Sequence, residues 1–255
     1  MVDSSTSSVP DIDFRANPGA TFYVLSGPGG TGKTTLIKRW RQECSDLGYV
    51  ANITTRKPRP QHRADESGLY QFVSRGEFRR LVEAKAFAQW VNPSEGKYYG
   101  TPIAPLEAAI AEGRDLVFDY TPQLYINLRR QFREQVVGIF IVPPTFSELL
   151  RRLHGRGTET GEELYIKEQM ALQDLGYIDE HHYHVVNDDL EGTVSTLKAI
   201  RVAERHSLQR IGRIRELCRS HSPRTMMFYY DALGTRVTNI SPNNDPRSSA
   251  GGARQ

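Results

Sequence analysis

Hydrophobic and polar positions change period abruptly near the start of the chain. In TFYVLSGPGGTGKTTLIKRWRQE, Thr21–Glu43, an apolar run of period two passes through a cluster of glycines into helical periodicity. That succession predicts a strand, a loop and a helix. The two periods then alternate. YVANITT predicts a second strand, RKPRPQHRADESG a charged loop broken by prolines, LYQFVS a short strand, and Arg75–Lys85 a helix with Phe78, Leu81 and Val82 on one face. PLEAAIAEG reads as a helix closed by Gly113, DLVFDY as a buried strand, YINLRRQF as a helix and QVVGIFIVPP as a strand stopped by prolines. TFSELLRRLHGRG and Glu163–Leu175 follow as helices, YHVVNDD as a last core strand, and Leu190–Ser220 as one long helix. TMMFYYDALGTRVTNI is able to form a hairpin across its Leu-Gly turn. Strands alternating with helices predict an α/β fold, a mainly parallel sheet with helices on both faces.

One stretch resists this reading. AFAQWVNPSEGKYYGTP, Ala86–Pro102, gathers Phe87, Trp90, Tyr98 and Tyr99 around a single amide, Gln89. It is expected to be the wall of a pocket rather than core.

Composition narrows the class. With 38% hydrophobic and 25% charged residues among 255, the chain suits a soluble globular protein able to bury a substantial core. The longest apolar run, Val136–Val142, falls far short of the ~18 residues of a membrane helix. MVDSSTSSVPDIDF is acidic and serine-rich, unlike a secretory signal, and residues 1–18 read as a flexible leader. Cys44 and Cys218 read as free thiols, and the expected location is the cytoplasm. From Arg201 onward about ten arginines face about four acids, so the basic excess belongs to the C-terminal extension. That extension, residues 208–255 with Arg210, Arg213, Arg215 and Arg219 after Arg205, is expected to present a solvated helix face or a docking face for a second copy, with a disordered end. Nothing in it has the pattern of a nucleic-acid module.

GPGGTGKT, Gly27–Thr34, matches the full spacing of a phosphate loop and stands between the predicted strand and helix. Gly27, Gly29, Gly30 and Gly32 let successive backbone N–H groups, with those of Thr31, Lys33, Thr34 and Thr35, turn toward phosphate oxygens at a helix N-terminus. Lys33 is placed to reach the β- and γ-phosphates of ATP, and the Thr34 hydroxyl to hold Mg²⁺. No Asn-Lys-x-Asp base-reading segment follows, which argues against a GTPase, and the length argues against a motor. A small kinase is the expectation.

VLSGPGGTGKTTL, TTRKPRP, YQFVSRGEF, YYGTP, IFIVPPTFSELLRRLHGRGTET and VVNDDL stand in one order between Thr21 and about Ser207. In that order and spacing the chain resembles the guanylate kinase family. The resemblance implies a P-loop NTPase-type sheet over residues 19–207, an acceptor-binding insertion at about 52–100, a helical lid at about 153–169, and ATP with Mg²⁺ as donor and cofactor. It also implies site residues. Arg56, Arg59, Tyr70 and Tyr99 match the clamp on the acceptor phosphate, where forked donors and phenol hydroxyls suit phosphate oxygens. Arg152 and Arg156 match lid arginines that neutralise the transferring phosphoryl group, and Lys167 stands where the family has a third arginine. Asn187 and Asp188 match the edge of the adenine site, and Asp119 an acid near the metal and the acceptor ribose.

The departures gather at the acceptor base. Gln89 stands where the family carries a guanine-reading glutamate, Thr121 where it typically carries an aspartate, and Asn52 where it has a small hydroxyl, while Thr101 keeps that character. An amide offers one acceptor and one donor where a carboxylate offers acceptors only, a change of about 1.5–3 kcal/mol against a pair of buried donors. The resemblance implies phosphoryl transfer to GMP or dGMP. The substitutions leave open a modified purine nucleotide or a ribose 1,5-bisphosphate-like acceptor, and a third reading is a binding domain without catalysis. HHYH, His181–His184, fits no standard zinc spacing and reads as a solvated helix end.

Overall fold

The computed structural model describes residues 19–58, 68–94, 96–154, 161–207, 229–230 and 236–237. Five strands form a parallel sheet: β1 (Phe22–Ser26), β2 (Gly48–Tyr49), β7 (Leu116–Asp119), β8 (Val136–Val142) and β9 (Tyr183–Val186), in the order β2-β7-β1-β8-β9. Strand β1 is central and wholly buried, and the chain winds both ways from it. On one face, Tyr23, Leu25 and Val137 meet Leu36, Ile37 and Trp40 of helix α1 (Lys33–Glu43) and Val194, Leu197 and Ile200 of α7 (Leu190–Arg205). On the other, Phe22, Val24 and Phe118 meet Leu106 and Ala109 of α3 (Ala104–Glu112) and Tyr125 and Leu128 of α4 (Pro122–Phe132). The continuous apolar runs of β1 and β8 follow from burial on both faces.

YVANITT is two strands, not one. Gly48–Tyr49 closes the edge of the main sheet beside β7, whereas Asn52–Thr54, strand β3, has crossed into a second sheet. That sheet runs β4 (Tyr70–Phe72), β3, β6 (Lys97–Pro102), β5 (Phe87–Ser94), and helix α2 (Arg75–Glu83) is capped at its start by the Ser74 hydroxyl, which accepts from Glu77 N–H at 3.1 Å.

Helix α7 is locked by charge. Arg201 donates through Nε to Asp115 at 2.9 Å and through Nη1 and Nη2 to Asp46 at 3.0 and 2.7 Å. Asp115 is buried, and it also accepts from Thr21 N–H and from Arg205. The Arg201 guanidinium holds the Asp46 carboxyl at about 2. Removing one partner of the buried Arg201–Asp115 pair costs about 3–5 kcal/mol. Arg205 is exposed, as expected, and also joins this lock by donating to Asp115; Arg210, Arg213, Arg215, Arg219 and Cys218 lie outside the described residues.

HHYH is likewise not a solvated helix end. His181 stacks on Tyr125 with ring centres 4.1 Å apart, and burial lowers its pKa to about 4. His182 Nδ1 accepts from Gly138 N–H at 3.0 Å. No metal-holding group of His, Cys, Asp or Glu occurs among the described residues, and none of the described helices is long and apolar enough to cross a membrane. Strands β10 (Tyr229–Tyr230) and β11 (Arg236–Val237) pair antiparallel with each other in a separate unit, as the predicted hairpin requires.

Candidate active site

The phosphate loop lies between β1 and α1, at the carboxyl end of the central strand, where open α/β sheets bind ligands. Two of its glycines are required by geometry. Gly27 has φ 126°, and a Cβ there would lie 2.5 Å from the Ile141 carbonyl oxygen. Gly32 has φ 87°, and a Cβ there would lie 2.5 Å from Asn187 Nδ2. The Lys33 ammonium donates to the carbonyls of Gly27 and Pro28, each at 2.8 Å. Thr34 donates through its hydroxyl to Asp119 Oδ2 at 2.6 Å, which ties the start of α1 to the end of β7.

Asn187 is a strut of this loop. Its amide donates to Thr31 C=O at 2.7 Å, its Oδ1 accepts from the Thr193 hydroxyl at 3.2 Å, and its backbone N–H donates to Val142 C=O at 2.7 Å. Its own carbonyl accepts from Arg152 Nη1 at 3.2 Å. Arg152, on α5 (Phe146–His154), also donates to Glu148 at 2.6 Å. Arg151 and then Arg152 hold the Glu148 carboxyl at about 2. Asp188 is exposed beside the α7 cap, and Lys167 lies on α6 (Gly161–Leu175). Leu153 of α5 packs over Gly30 and clusters with Leu149 and with Ala171 of α6. Asp174, near the end of α6, is within electrostatic reach of Lys33, and burial raises its carboxyl to about 6 against the pull of that ammonium.

The second sheet carries the acceptor candidates on one face. Asn52 faces Tyr70 across β3–β4, and Gln89 faces Thr101 across β5–β6. Ile53 opposite Gly100 and Thr54 opposite Tyr99 set Asn52 beside Thr101. Asn52, Thr101 and Gln89 thus form one polar row, all buried. Thr101 donates through its hydroxyl to Asn52 Oδ1 at 2.9 Å and meets the Tyr120 hydroxyl at 2.5 Å. Burial raises the Tyr120 pKa, and Thr101 and Gln89 oppose that only in part. Gln89 lies beside the Tyr120 hydroxyl and favours its ionised form as a donor would, although neither Oε1 nor Nε2 reaches good hydrogen-bond geometry with any described residue. Toward the other end of the sheet, Arg56 lies over the Tyr70 ring at 5.0 Å, and Tyr70 meets Tyr99 edge-on at 6.3 Å. Thr121 is exposed at the start of α4.

The expected ring of four aromatics about Gln89 is corrected by strand parity. Only Tyr99 shares its face. Phe87, Trp90 and Tyr98 turn the other way onto Phe78 of α2, with Phe78 and Phe87 stacked at 4.7 Å. A register shift between Phe87 and Gln89 turns the strand, and Gly100 leaves room for the Phe87 ring, which a Cβ would meet at 2.5 Å. Tyr120, Asp174 and the strut role of Asn187 were not among the sequence expectations. Tyr120 had a usable signal, a polar ring directly after the strand-end acid Asp119. Arg59 and Arg156 lie outside the described residues.

A parallel sheet bearing a phosphate loop, with a second sheet whose polar face carries an arginine and two tyrosines, defines a P-loop phosphotransferase of small acceptors. The sequence model of the guanylate kinase family matches residues 19–204. The guanylate kinase of Desulfitobacterium hafniense is 39% identical over 188 residues, 73% of this chain and 92% of that protein. That of Novosphingobium aromaticivorans is 37% identical over 183 residues, 72% of this chain and 81% of that protein. The crystal structure of guanylate kinase from Anaplasma phagocytophilum superposes with a TM-score of 0.62 at 25% identity, covering 80% of this chain and 96% of that one. The chain belongs to the guanylate kinase family. It is a nucleoside monophosphate kinase. The sugar-phosphate and modified-purine acceptors find no support in these relatives.

Proposed function

We propose that this enzyme transfers the γ-phosphoryl group of ATP to the 5′-phosphate of GMP or dGMP. One observation carries the reading: a complete phosphate loop and a separate arginine–tyrosine cluster beside a polar row occur in the same unit. The names of the relatives point the same way.

In this reading the backbone of Gly27–Thr35 cradles the ATP phosphates, with Asn187 and Asp188 at the adenine edge. Lys33 exchanges its bonds to the Gly27 and Pro28 carbonyls for phosphate oxygens. Thr34 and Asp119, an all-oxygen pair, fit Mg²⁺ and would hold it. Bound there, the ion would offset charge on the phosphates. Arg56, Arg59, Tyr70 and Tyr99 hold the acceptor phosphate, whose attacking oxygen is largely deprotonated near neutral pH and needs no strong base. It forms a bond to the γ-phosphorus as the bond to the β–γ bridging oxygen breaks, and ADP leaves. Arg152, Arg156 and Lys167 meet the spread negative charge, which is where such enzymes gain most of their rate. The lid at about 153–169 excludes water as it closes. Asn52 and Gln89 of the insertion at about 52–100, with Thr101 and Thr121 beyond it, face the base, and Asp119 the acceptor ribose. Purified protein with MgATP and GMP should form ADP and GDP; no turnover would refute the reading.

A further inference from the structure

We propose that Gln89 leaves the purine 2-amino group unread, so that the enzyme phosphorylates 6-oxopurine 5′-monophosphates as a class, inosine 5′-monophosphate (IMP) together with GMP. This deepens the acceptor reading above and rests on it.

Gln89 is 7% exposed, the Tyr120 hydroxyl is the polar group beside its amide, and neither amide heteroatom reaches good hydrogen-bond geometry among the described residues. Buried polar groups in folded proteins are nearly always well bonded, so an amide with only the Tyr120 hydroxyl beside it and no well-formed bond is, on a substrate-facing row, an incompletely filled recognition element. Its neighbours define what it can take. The single Thr101 hydroxyl proton goes to Asn52 Oδ1, so the Tyr120 hydroxyl donates to Thr101. The Asn52 oxygen is engaged on the Thr101 side, and its amide nitrogen is a donor. The row therefore offers a donor at Asn52 and an adjacent acceptor–donor pair at Gln89.

A purine with a C6 oxo group fits that order. The oxygen accepts from Asn52 Nδ2, and the ring N1–H donates to Gln89 Oε1. What remains of Gln89 is an N–H donor. A 2-amino group, also a donor, finds no acceptor there, and turning the amide over sets a donor against N1–H instead. An adenine edge fails at Asn52, where its 6-amino group meets another donor. Thr121 supplies only a solvated hydroxyl. A site that hydrogen-bonds a substrate N–H rejects the analogue lacking it by on the order of 10⁴-fold, but a site that does not read the group cannot.

The test is kcat/KM of the full chain for GMP, IMP and AMP at saturating MgATP, with Gln89→Glu beside it. The expected result is GMP and IMP within about tenfold of each other and AMP well below both. In Gln89→Glu, whose carboxylate accepts from N1–H and the 2-amino group together, the GMP:IMP ratio should widen by at least about tenfold. GMP turned over more than about 100-fold better than IMP by the natural enzyme overturns the inference and leaves the acceptor reading standing. AMP as the best acceptor, or a ratio unmoved in Gln89→Glu, also overturns it. Turnover of none of the three overturns the acceptor reading itself. Should Gln89→Glu fail to fold, the natural enzyme's ratio still decides.

Discussion

The phosphate loop and the second sheet of this enzyme handle their polar groups in opposite ways. At the phosphate loop almost every functional group is already engaged. Lys33 caps loop carbonyls, Thr34 holds Asp119, and Asn187 spends its side chain and backbone on Thr31, Thr193, Val142 and Arg152. On the second sheet the relay from Tyr120 through Thr101 to Asn52 runs beside the Gln89 amide, which has the Tyr120 hydroxyl next to it and no well-formed bond among the described residues. In the proposed function the phosphate loop would bind by exchange, trading internal bonds for bonds to phosphate, and its specificity would be for charge. The polar row would bind by completion, with specificity carried by Gln89. A phosphate-binding loop can be generic, whereas reading a base requires a vacancy of defined hydrogen-bond polarity.

The contrast can be broken most severely at Lys33. Lys33→Ala should lower kcat by about 10³-fold or more, because the developing phosphoryl charge loses its closest cation, with the thermal midpoint nearly unchanged. Near-normal turnover would show that the loop is not the donor site. Asp119→Asn keeps a partner for Thr34 but removes the charge. Turnover should fall by about 10²-fold, with partial recovery at raised Mg²⁺ concentration; loss that is indifferent to Mg²⁺ would remove Asp119 from the metal site.

Thr101→Val tests the acceptor end. It breaks the relay while conserving shape, and KM for GMP should rise by about tenfold with KM for ATP changed less than about twofold. Equal loss for both nucleotides would mean that the two ends are not separate. Asp174→Asn gives the smallest effect and a signed one. The acid is raised from 3.8 to about 6 in the fold, so the native state binds its proton more tightly than the unfolded chain does. Its contribution is fully present below about pH 4 and lost as pH rises through about 6. Asn cannot ionise, so at pH 7.5 the variant should melt slightly higher than the natural protein, and the gain should vanish near pH 4. Equal melting at both pH values would deny Asp174 its buried position.

What could be read from the sequence was whatever depends on local period. Thr21–Glu43 carries its strand, its glycine turn and its helix in one contiguous pattern, and the structure follows it. YVANITT misled because a single apolar run was divided between two sheets, β2 meeting β7 and β3 meeting β6. Only the partners decide that break. The aromatics of Ala86–Pro102 misled for a related reason. Parity along a strand is local, but the shift between Phe87 and Gln89 is set by the strand alongside. The ties of exposed Arg205 to Asp46 and Asp115 gave no signal because those acids are remote in sequence, and Asp174 gave none because its neighbour Lys33 lies at the other end of the unit's chain. Residue types in the site were legible; which of them share a face was not.

The most direct test of the account is product analysis after mixing full-length protein with MgATP and GMP in equal amounts. The account predicts ADP and GDP appearing together in a one-to-one ratio until equilibrium is reached. ATP hydrolysed without GDP formed, or no change in either nucleotide, would contradict it.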